Sequence, residues 1–227
     1  MRGKLVVGLM LGLLVAGCHE REPSPLEPQT NAPPLPVPYQ ITTPNAIRAP
    51  QQVVEAANQI NAYAAVMVPY VTLAQQSRPQ PTDSGWVWPL DMGTLSGKLI
   101  ATRKGDTTYW EVRLSGSDGY RTYDNWLALK GETSPRHQRW IRYSEDRNAP
   151  SAKVLVTKTK TGKVAVRVEA EGMSCSYRAE VEPDSTTVVE CLQNDQVAFK
   201  AQWKPGKSGK LISGVEGKAA KTLTWRE

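Results

Sequence analysis

Residues 153–169 read KVLVTKTKTGKVAVRVE, and this stretch decides the fold. On both sides of Thr161-Gly162, valines alternate with other residues, most of them polar or charged. A period of two is typical of a β-strand that buries one face, because successive side chains of a strand point to opposite sides. Thr161-Gly162 has the composition of a turn, so the two runs are predicted to be neighbouring strands.

The same pattern continues in both directions over residues 85–227. About ten short runs alternate in this way, and turns containing Gly, Pro or Asp separate them. A helical period is absent between the runs, which excludes a parallel βαβ architecture and favours an antiparallel meander. We therefore predict a mainly β domain whose sheet forms a barrel or half-barrel, because closure protects the edge strands.

A different pattern precedes this domain, in residues 51–84. Apolar residues recur at three- and four-residue spacing from Val53 to Val71, which predicts one amphipathic α-helix followed by a linker. Pro50 suits the first turn of a helix, whereas Pro69 is expected to kink or end it. The helix either packs its apolar stripe on the β domain or covers a cavity as a lid.

The N-terminal residues have the pattern of a secretory signal. Arg2 and Lys4 precede an apolar run that is too short to span a bilayer as a permanent helix. The run ends in LVAGC at residues 14–18. This stretch resembles the lipobox of bacterial lipoproteins, in which an aliphatic residue and two small residues precede an acylated cysteine. The alternative is an ordinary secreted protein with a chance cysteine at this position.

The resemblance implies that residues 1–17 are a signal peptide and that the mature chain begins at Cys18. That cysteine would carry a thioether-linked diacylglycerol and an N-acyl chain such as palmitate, and several acyl chains anchor a protein stably to a membrane. Because His19 rather than aspartate follows the cysteine, the resemblance implies the outer membrane of a Gram-negative host, facing the periplasm. In a host with one membrane, the protein would lie on the outer face of the cell membrane.

Nine prolines fall between residues 19 and 50, among few large apolar side chains. Such a segment buries too little to order itself, and its composition favours extended polyproline II. We therefore predict that residues 18–50 form a lipidated, disordered tether that spaces the β domain from the membrane. A proline-rich ligand for another domain is the alternative.

Two further cysteines, Cys175 and Cys191, lie in the β domain. Each belongs to a run with strand character, and the turn between the runs has Pro183 at its second position. An even pair of cysteines in an exported domain, brought near each other by a hairpin, predicts a disulfide. A metal site and two free thiols are the alternatives, although no histidine or third cysteine lies nearby in the sequence.

Seven tryptophans outnumber the single phenylalanine, and all seven fall in predicted strands. They either fill the core, each indole N–H finding a partner, or line an amphipathic cavity for a lipid or a glycan. The candidate cavity residues are Trp86, Trp88, Trp110, Trp126, Trp140 and Trp203.

The sequence offers no catalytic constellation. His19 lies in the predicted tether and His137 in a loop or strand start, and the sequence contains no metal-ligand spacing, phosphate-binding loop or nucleophile elbow. We therefore predict no catalytic residue, no metal and no other cofactor. The net charge of +6 is modest, and nucleic acid is not an expected partner in this compartment. The lysines of the C-terminal half are expected to point outward from the strands, with an anionic envelope polymer or lipid head group as the alternative partner.

The likeness of the β domain to known proteins is architectural. It is similar to lipocalin-like and other half-barrel periplasmic lipoproteins, and no motif carries residues over from them. We expect a non-enzymatic, membrane-anchored envelope lipoprotein whose barrel-like domain binds a hydrophobic ligand or an envelope partner. The alternatives are a structural or assembly lipoprotein that docks protein around a filled core, and a hydrolase that acts on envelope glycan or lipid.

Overall fold

The structure is a computed structural model that describes residues 31–146, 148–214 and 220–226. The predicted signal peptide, Cys18 and the first part of the predicted tether lie outside the described residues. Two helices come first, α1 (Gln51–Ala64) and α2 (Val68–Ala74). The strands that follow are β1 (Gln80–Thr82), β2 (Gly85–Met92), β3 (Leu95–Lys104), β4 (Thr107–Ser117), β5 (Thr122–Thr133), β6 (His137–Tyr143), β7 (Pro150–Lys158), β8 (Val164–Ala170), β9 (Ser176–Val181), β10 (Thr187–Gln193), β11 (Gln196–Trp203), β12 (Ser208–Ser213) and β13 (Lys221–Arg226).

The described strands form one sheet in which each strand pairs antiparallel with the next along the chain. The predicted mainly β fold and its antiparallel meander are therefore confirmed. Thirteen strands are described where the sequence predicted about ten, and β1 lies in the stretch that was expected to be a linker. The sheet is not closed, because among the described residues β1 and β13 are its two edges and do not pair with each other.

The predicted helix is interrupted before Pro69, as expected. α1 ends at Ala64 and α2 begins at Val68, so Pro69 lies in the first turn of the second helix, where its missing N–H costs no hydrogen bond. Pro50 is the N-cap of α1 rather than a residue of its first turn. Among the described residues, no helix is both long enough and apolar enough to cross a membrane.

The apolar face of α1 lies against the middle of the sheet. Val53, Ala56, Ala57 and Ile60 are buried in the helix, which contacts strands β7 to β10. The small alanine side chains let the helix backbone come close to the strands. One hydrophobic core joins this face to residues near both ends of the sheet, among them Trp86 and Trp88 of β2 and Trp203 and Trp225 of β11 and β13. The helix therefore packs as a core element, which is the first of the two roles that the sequence allowed.

Residues 31–44, which we call the N-terminal strap, lie against the folded domain. The sequence predicted a disordered tether as far as residue 50, but Pro33, Pro36 and Pro44 are buried and Ile41 is only 3% exposed. The strap is part of the compact unit that begins at Asn31. A segment with few large apolar side chains cannot order itself, but here it uses a core that the rest of the chain provides.

Polar side chains from three distant elements hold the backbone of the strap. The amide of Ile41 donates to Asn61 Oδ1 (2.8 Å), and Asn61 Nδ2 donates to the carbonyl of Ile41 (2.9 Å). Trp203 Nε1 donates to the carbonyl of Thr42 at 3.1 Å. Gln138 of β6 makes a further bond of the same kind, to the carbonyl of residue 37. The strap is therefore fixed through its main chain, as a strand would be, although it belongs to no ladder.

The predicted disulfide between Cys175 and Cys191 is present, with the two Cα atoms 5.7 Å apart. Strands β9 and β10 form the expected hairpin, and the amide of Ser185 donates to the carbonyl of Glu182 across its turn at 2.9 Å. Ser185 has a left-handed φ of 68°, which ends the turn and directs the chain into β10.

Replacement of Asn61 by alanine should release the strap. The change leaves the buried main-chain groups of Ile41 without partners, and we expect a loss of about 1–3 kcal/mol in the free energy of unfolding. Hydrogen exchange of the Ile41 amide should accelerate in the same variant. Asn58→Ala is the matched control, because Asn58 is exposed on the same helix. Equal exchange at Ile41 in the two variants would show that Asn61 does not hold the strap.

Candidate functional site

Five of the six candidate tryptophans belong to the core. Trp86, Trp88, Trp110, Trp140 and Trp203 are at most 6% exposed. The rings of Trp88 and Trp110 lie 6.0 Å apart between centroids, and Trp110 Nε1 donates to Thr133 Oγ1 at 2.9 Å. The indole of Trp203 is bonded to the strap. These five residues pack in the hydrophobic core. This is the structural alternative that the sequence left open.

Trp126 is placed differently, because it lines a cleft of about 540 Å³ between the two helices and the ends of β5 to β8. We call this site the aromatic cleft. The indole is half-buried and stacks on Tyr123, with 5.2 Å between ring centroids and 28° between the ring planes. The other lining residues are Tyr63, Tyr70, Arg121, Ala128, Arg142, Tyr143, Ser144, Glu145, Asp146, Ser151, Glu171 and Gly172.

A second cleft of about 450 Å³ adjoins the first. It lies along the bend between α1 and α2 and shares Tyr63, Tyr70 and Arg142 with the aromatic cleft. The two depressions therefore form one elongated surface with the two tyrosines at its middle. The sequence indicated neither tyrosine, because both fall in the helical segment and not in the β domain.

Irregular strand pairing shapes the aromatic cleft. Four register shifts interrupt the ladders between the described strands, and three of them adjoin this cleft. Two lie between β4 and β5, where Ala128 and the pair Asp124-Asn125 have no partner in the ladder. The third leaves Ser151 of β7 unpaired beside Arg142. Bulges re-aim side chains and are frequent next to functional sites, so their concentration here marks this cleft as the candidate functional site.

The loop between β4 and β5 is held by Asp118. Its Oδ1 accepts hydrogen bonds from the amides of Tyr120 (2.9 Å) and Arg121 (2.8 Å), and its Oδ2 accepts one from Tyr123 Oη at 2.7 Å. These bonds hold the pKa of Asp118 below its usual value. The same contact with Asp118, followed by burial, raises the pKa of Tyr123 to about 12. The loop thus fixes both the ring that supports Trp126 and the start of the Arg121 side chain.

Charged groups of both signs surround the opening. Arg121 forms ion pairs with Glu145 (3.5 Å) and Asp146. Arg142 Nε donates to Ser151 Oγ at 3.3 Å. Burial raises the pKa of Tyr70. The nearby charge of Arg142 lowers this pKa and that of Glu145 raises it, and the net effect is an increase. The rim therefore offers donors and acceptors together and no concentration of one charge.

The indole N–H of Trp126 is buried and has no hydrogen-bond partner among the described residues. A buried donor without a partner costs about 1–3 kcal/mol, and native proteins contain few of them. Trp110 and Trp203 each bond their indole N–H. Among the described residues, two buried side-chain atoms lack a partner, Thr187 Oγ1 and the indole nitrogen of Trp126, and Trp126 is the one of the six candidate tryptophans that lines the aromatic cleft.

Ser134, His137 and Glu132 form a cluster with the composition of a hydrolytic triad. Ser134 Oγ lies 2.7 Å from His137 Nδ1, and His137 Nε2 lies 3.5 Å from Glu132 Oε1. The hydroxyl, however, also accepts hydrogen bonds from the amides of Arg136 and His137 and so closes the turn between β5 and β6. The main chain closes the same turn, because the amide of Ser134 donates to the carbonyl of His137 at 2.9 Å. We assign the cluster a structural role.

Among the described residues of the C-terminal half, three lysines form ion pairs with carboxylates, Lys200 from within β11 and Lys163 and Lys204 from positions next to the ends of β8 and β11. Lys163 pairs with Glu180 (2.8 Å) and Glu182 (3.0 Å). Lys200 and Lys204 form ion pairs at 2.8 Å with Glu190 and at 2.7 Å with Asp184, respectively. These cations are neutralised within the domain. The part of the chain that the structure describes contains no group of three or more metal-ligating side chains placed to hold a metal ion.

No protein-family model matches this sequence, and no similar sequence is found among curated proteins. No family is assigned on these grounds. The function is therefore argued from the geometry of the aromatic cleft.

Part of the aromatic cleft could have been found in the sequence. Asn125 has a left-handed φ of 49° at the bulge before Trp126, and Asn is one of the few residues that tolerate this conformation. Asp-Asn inside a predicted strand therefore signals an irregularity at Trp126. No motif in the sequence pairs Arg121 with the acidic residues after β6, because that contact joins two loops that meet only when β5 and β6 pair antiparallel.

Ultraviolet titration of phenolate formation should detect the contact between Tyr123 and Asp118. Below the ordinary tyrosine pKa of 10.0 the contact contributes its full stability. Since the folded state holds the proton to about pH 12, stability is lost as the pH rises between these two values. Tyr123→Phe should remove one phenol that titrates near pH 12, and Asp118→Ala should lower the pKa of that phenol. Asp91→Ala is the control, because the Asp91 carboxylate accepts from the amide of Gly93. An identical titration of Asp118→Ala and the wild type would contradict the assignment.

Proposed function

We propose that this chain is a membrane-anchored envelope lipoprotein that binds an envelope component in the aromatic cleft without catalysing a reaction. The observation that carries the proposal is the convergence of three register shifts on a cleft with four aromatic side chains. Ligand sites of this size combine apolar or aromatic walls with a few polar groups, as this one does. Irregular pairing weakens a sheet. Three register shifts at one cleft are therefore explained if the function requires Trp126 to lie at this position.

The proposal includes a half-barrel form for the sheet. Support comes from the core, in which residues of β2, β11 and β13 join one cluster with the buried face of α1. Strands at opposite ends of a thirteen-stranded meander approach one helix when the sheet curls around it. The curled sheet then has a filled interior, so the ligand is expected at the rim and not inside.

The lipid anchor is proposed from the LVAGC sequence at residues 14–18, followed by the polar residues that begin with His19. In this proposal Cys18 carries the acyl chains, and the protein lies on the periplasmic side of the outer membrane or, in a host with one membrane, on the outer face of the cell membrane. The cystine between Cys175 and Cys191 supports an oxidising compartment outside the cytoplasm.

A structural or assembly lipoprotein is the second candidate. The observation that favours it is the packed interior, where α1, the strap and five tryptophans leave the core filled. In that case the aromatic cleft would bind a side chain or loop of a partner protein in the envelope. The two candidates differ in the chemical nature of what occupies the cleft.

Replacement of Cys18 by serine should move the protein from the membrane to the soluble envelope fraction. The change removes the thiol that would accept the diacylglycerol, and without acyl chains the attachment is lost. Fractionation of cells that express the full chain, with mass spectrometry of the N-terminal peptide, measures both effects. A Cys18→Ser protein that still required detergent for extraction would contradict the anchor.

Photo-crosslinking in intact cells tests binding at the aromatic cleft. We expect a photoreactive benzoyl-phenylalanine in place of Tyr143, which lines the cleft, to form an adduct with an envelope component. The same replacement at Tyr109, which is 38% exposed on the outer face of β4, is the matched control. Mass spectrometry of the adduct distinguishes a small ligand from a protein. The absence of an adduct specific to position 143 would overturn the proposed function.

A further inference from the structure

The lining of the aromatic cleft points to a class of ligand. None of its described lining residues is Leu, Ile, Val or Met, and Ala128 is its only aliphatic residue; the adjoining depression adds only the small aliphatic groups of Ala62, Ala65, Val66 and Pro69. An acyl chain requires a wall of aliphatic groups, because its burial is driven by the apolar area that leaves water. The cleft instead presents four aromatic rings, two arginines, three carboxylates and two serines.

The charges of the lining argue against an anionic ligand. Two arginines face three carboxylates, and Arg121 is already engaged by Glu145 and Asp146. At Arg121 a phosphate or carboxylate group would have to displace these partners, and at either arginine it would share the cleft with three carboxylates. An uncharged ligand with many hydroxyl groups meets no such repulsion, since hydroxyls donate to carboxylates and accept from guanidinium groups.

The shape of the surface argues for an extended ligand built from rings. One face of the Trp126 indole rests on Tyr123, so the part of the ring that lines the cleft forms a firm platform. Tyr63 and Tyr70 line both adjoining depressions, of about 540 and 450 Å³. Aromatic surfaces in succession suit a chain of pyranose rings, because the C–H face of each sugar is apolar while its edge carries hydroxyls.

We propose that the aromatic cleft binds a neutral oligosaccharide of the envelope, with sugar rings against Trp126, Tyr63 and Tyr70 and hydroxyls on the charged rim. This inference rests on the proposed function and names its ligand. The arginine and carboxylate groups of the rim bind and orient the sugar hydroxyls. The anchor at Cys18 would hold this site close to membrane-attached glycans.

The test is saturation-transfer NMR on the full chain in a detergent that has no sugar head group. The probes are chitotetraose, cellotetraose and maltotetraose, with choline and inorganic phosphate as probes of the competing chemistries. We expect at least one tetrasaccharide to receive saturation on its ring protons, and a competing excess of choline or phosphate to leave that signal unchanged. Failure of all three sugars to bind at millimolar concentration would overturn the proposal.

Variants then place the binding in the cleft. Tyr63→Ala and Tyr70→Ala should each weaken binding of the responsive sugar by about tenfold, as the loss of an aromatic platform predicts. Tyr109→Ala should leave the affinity unchanged. Equal affinities for all three variants would overturn the location. If the crosslink at position 143 forms but the adduct is a lipid or a protein, the proposed function stands and the glycan inference fails.

Discussion

The burial of α1 is the contact on which the rest of the structure depends. A single antiparallel meander has two faces, and the one that bears the tryptophans needs a cover. The helix provides it with Val53, Ala56, Ala57 and Ile60 against the middle strands. Because two of these four residues are alanines, the helix lies close to the sheet. The adjoining α2 and the strap also contact the strands. Asn61 follows directly after this face, and its amide holds the strap in place.

The same burial accounts for the position of the aromatic cleft. α1 ends at Ala64 and α2 begins at Val68, with Pro69 in its first turn, so Tyr63 and Tyr70 lie on the two sides of one bend. The sheet meets this bend with its least regular part, where bulges in β5 and β7 free Ala128 and Ser151 from the ladder. A regular strand would direct alternate residues to the packed core and to solvent. The register shifts on either side of Trp126 interrupt that alternation, and Trp126 lines the aromatic cleft together with Tyr63 and Tyr70.

The sequence predicted the elements well and their exceptions poorly. Alternation of period two located strands such as β7 and β8, because local sequence determines which residues of a strand are buried. The hairpin turn and its cystine followed from Pro183 and from two cysteines at matching distances from it. The period cannot tell whether an inward tryptophan meets another side chain or empty space, so the tryptophans remained ambiguous until the path of the helix was known.

The strap was missed for a related reason. Composition alone measures whether a segment can build its own core, and residues 31–44 cannot. It does not show whether the segment can pack on a core that the rest of the chain forms. Ile41 is buried in that core, and its backbone is hydrogen-bonded to Asn61, 20 residues away. This contact changes the reach of the proposed anchor. With the strap in place, only residues 19–30 separate Cys18 from the folded unit, instead of the whole segment to residue 50. Even a fully extended chain of that length spans only about 40 Å. In the proposed anchoring through Cys18, so short a connection would keep the proposed binding site near the membrane, whereas a free tether to residue 50 would reach further from it.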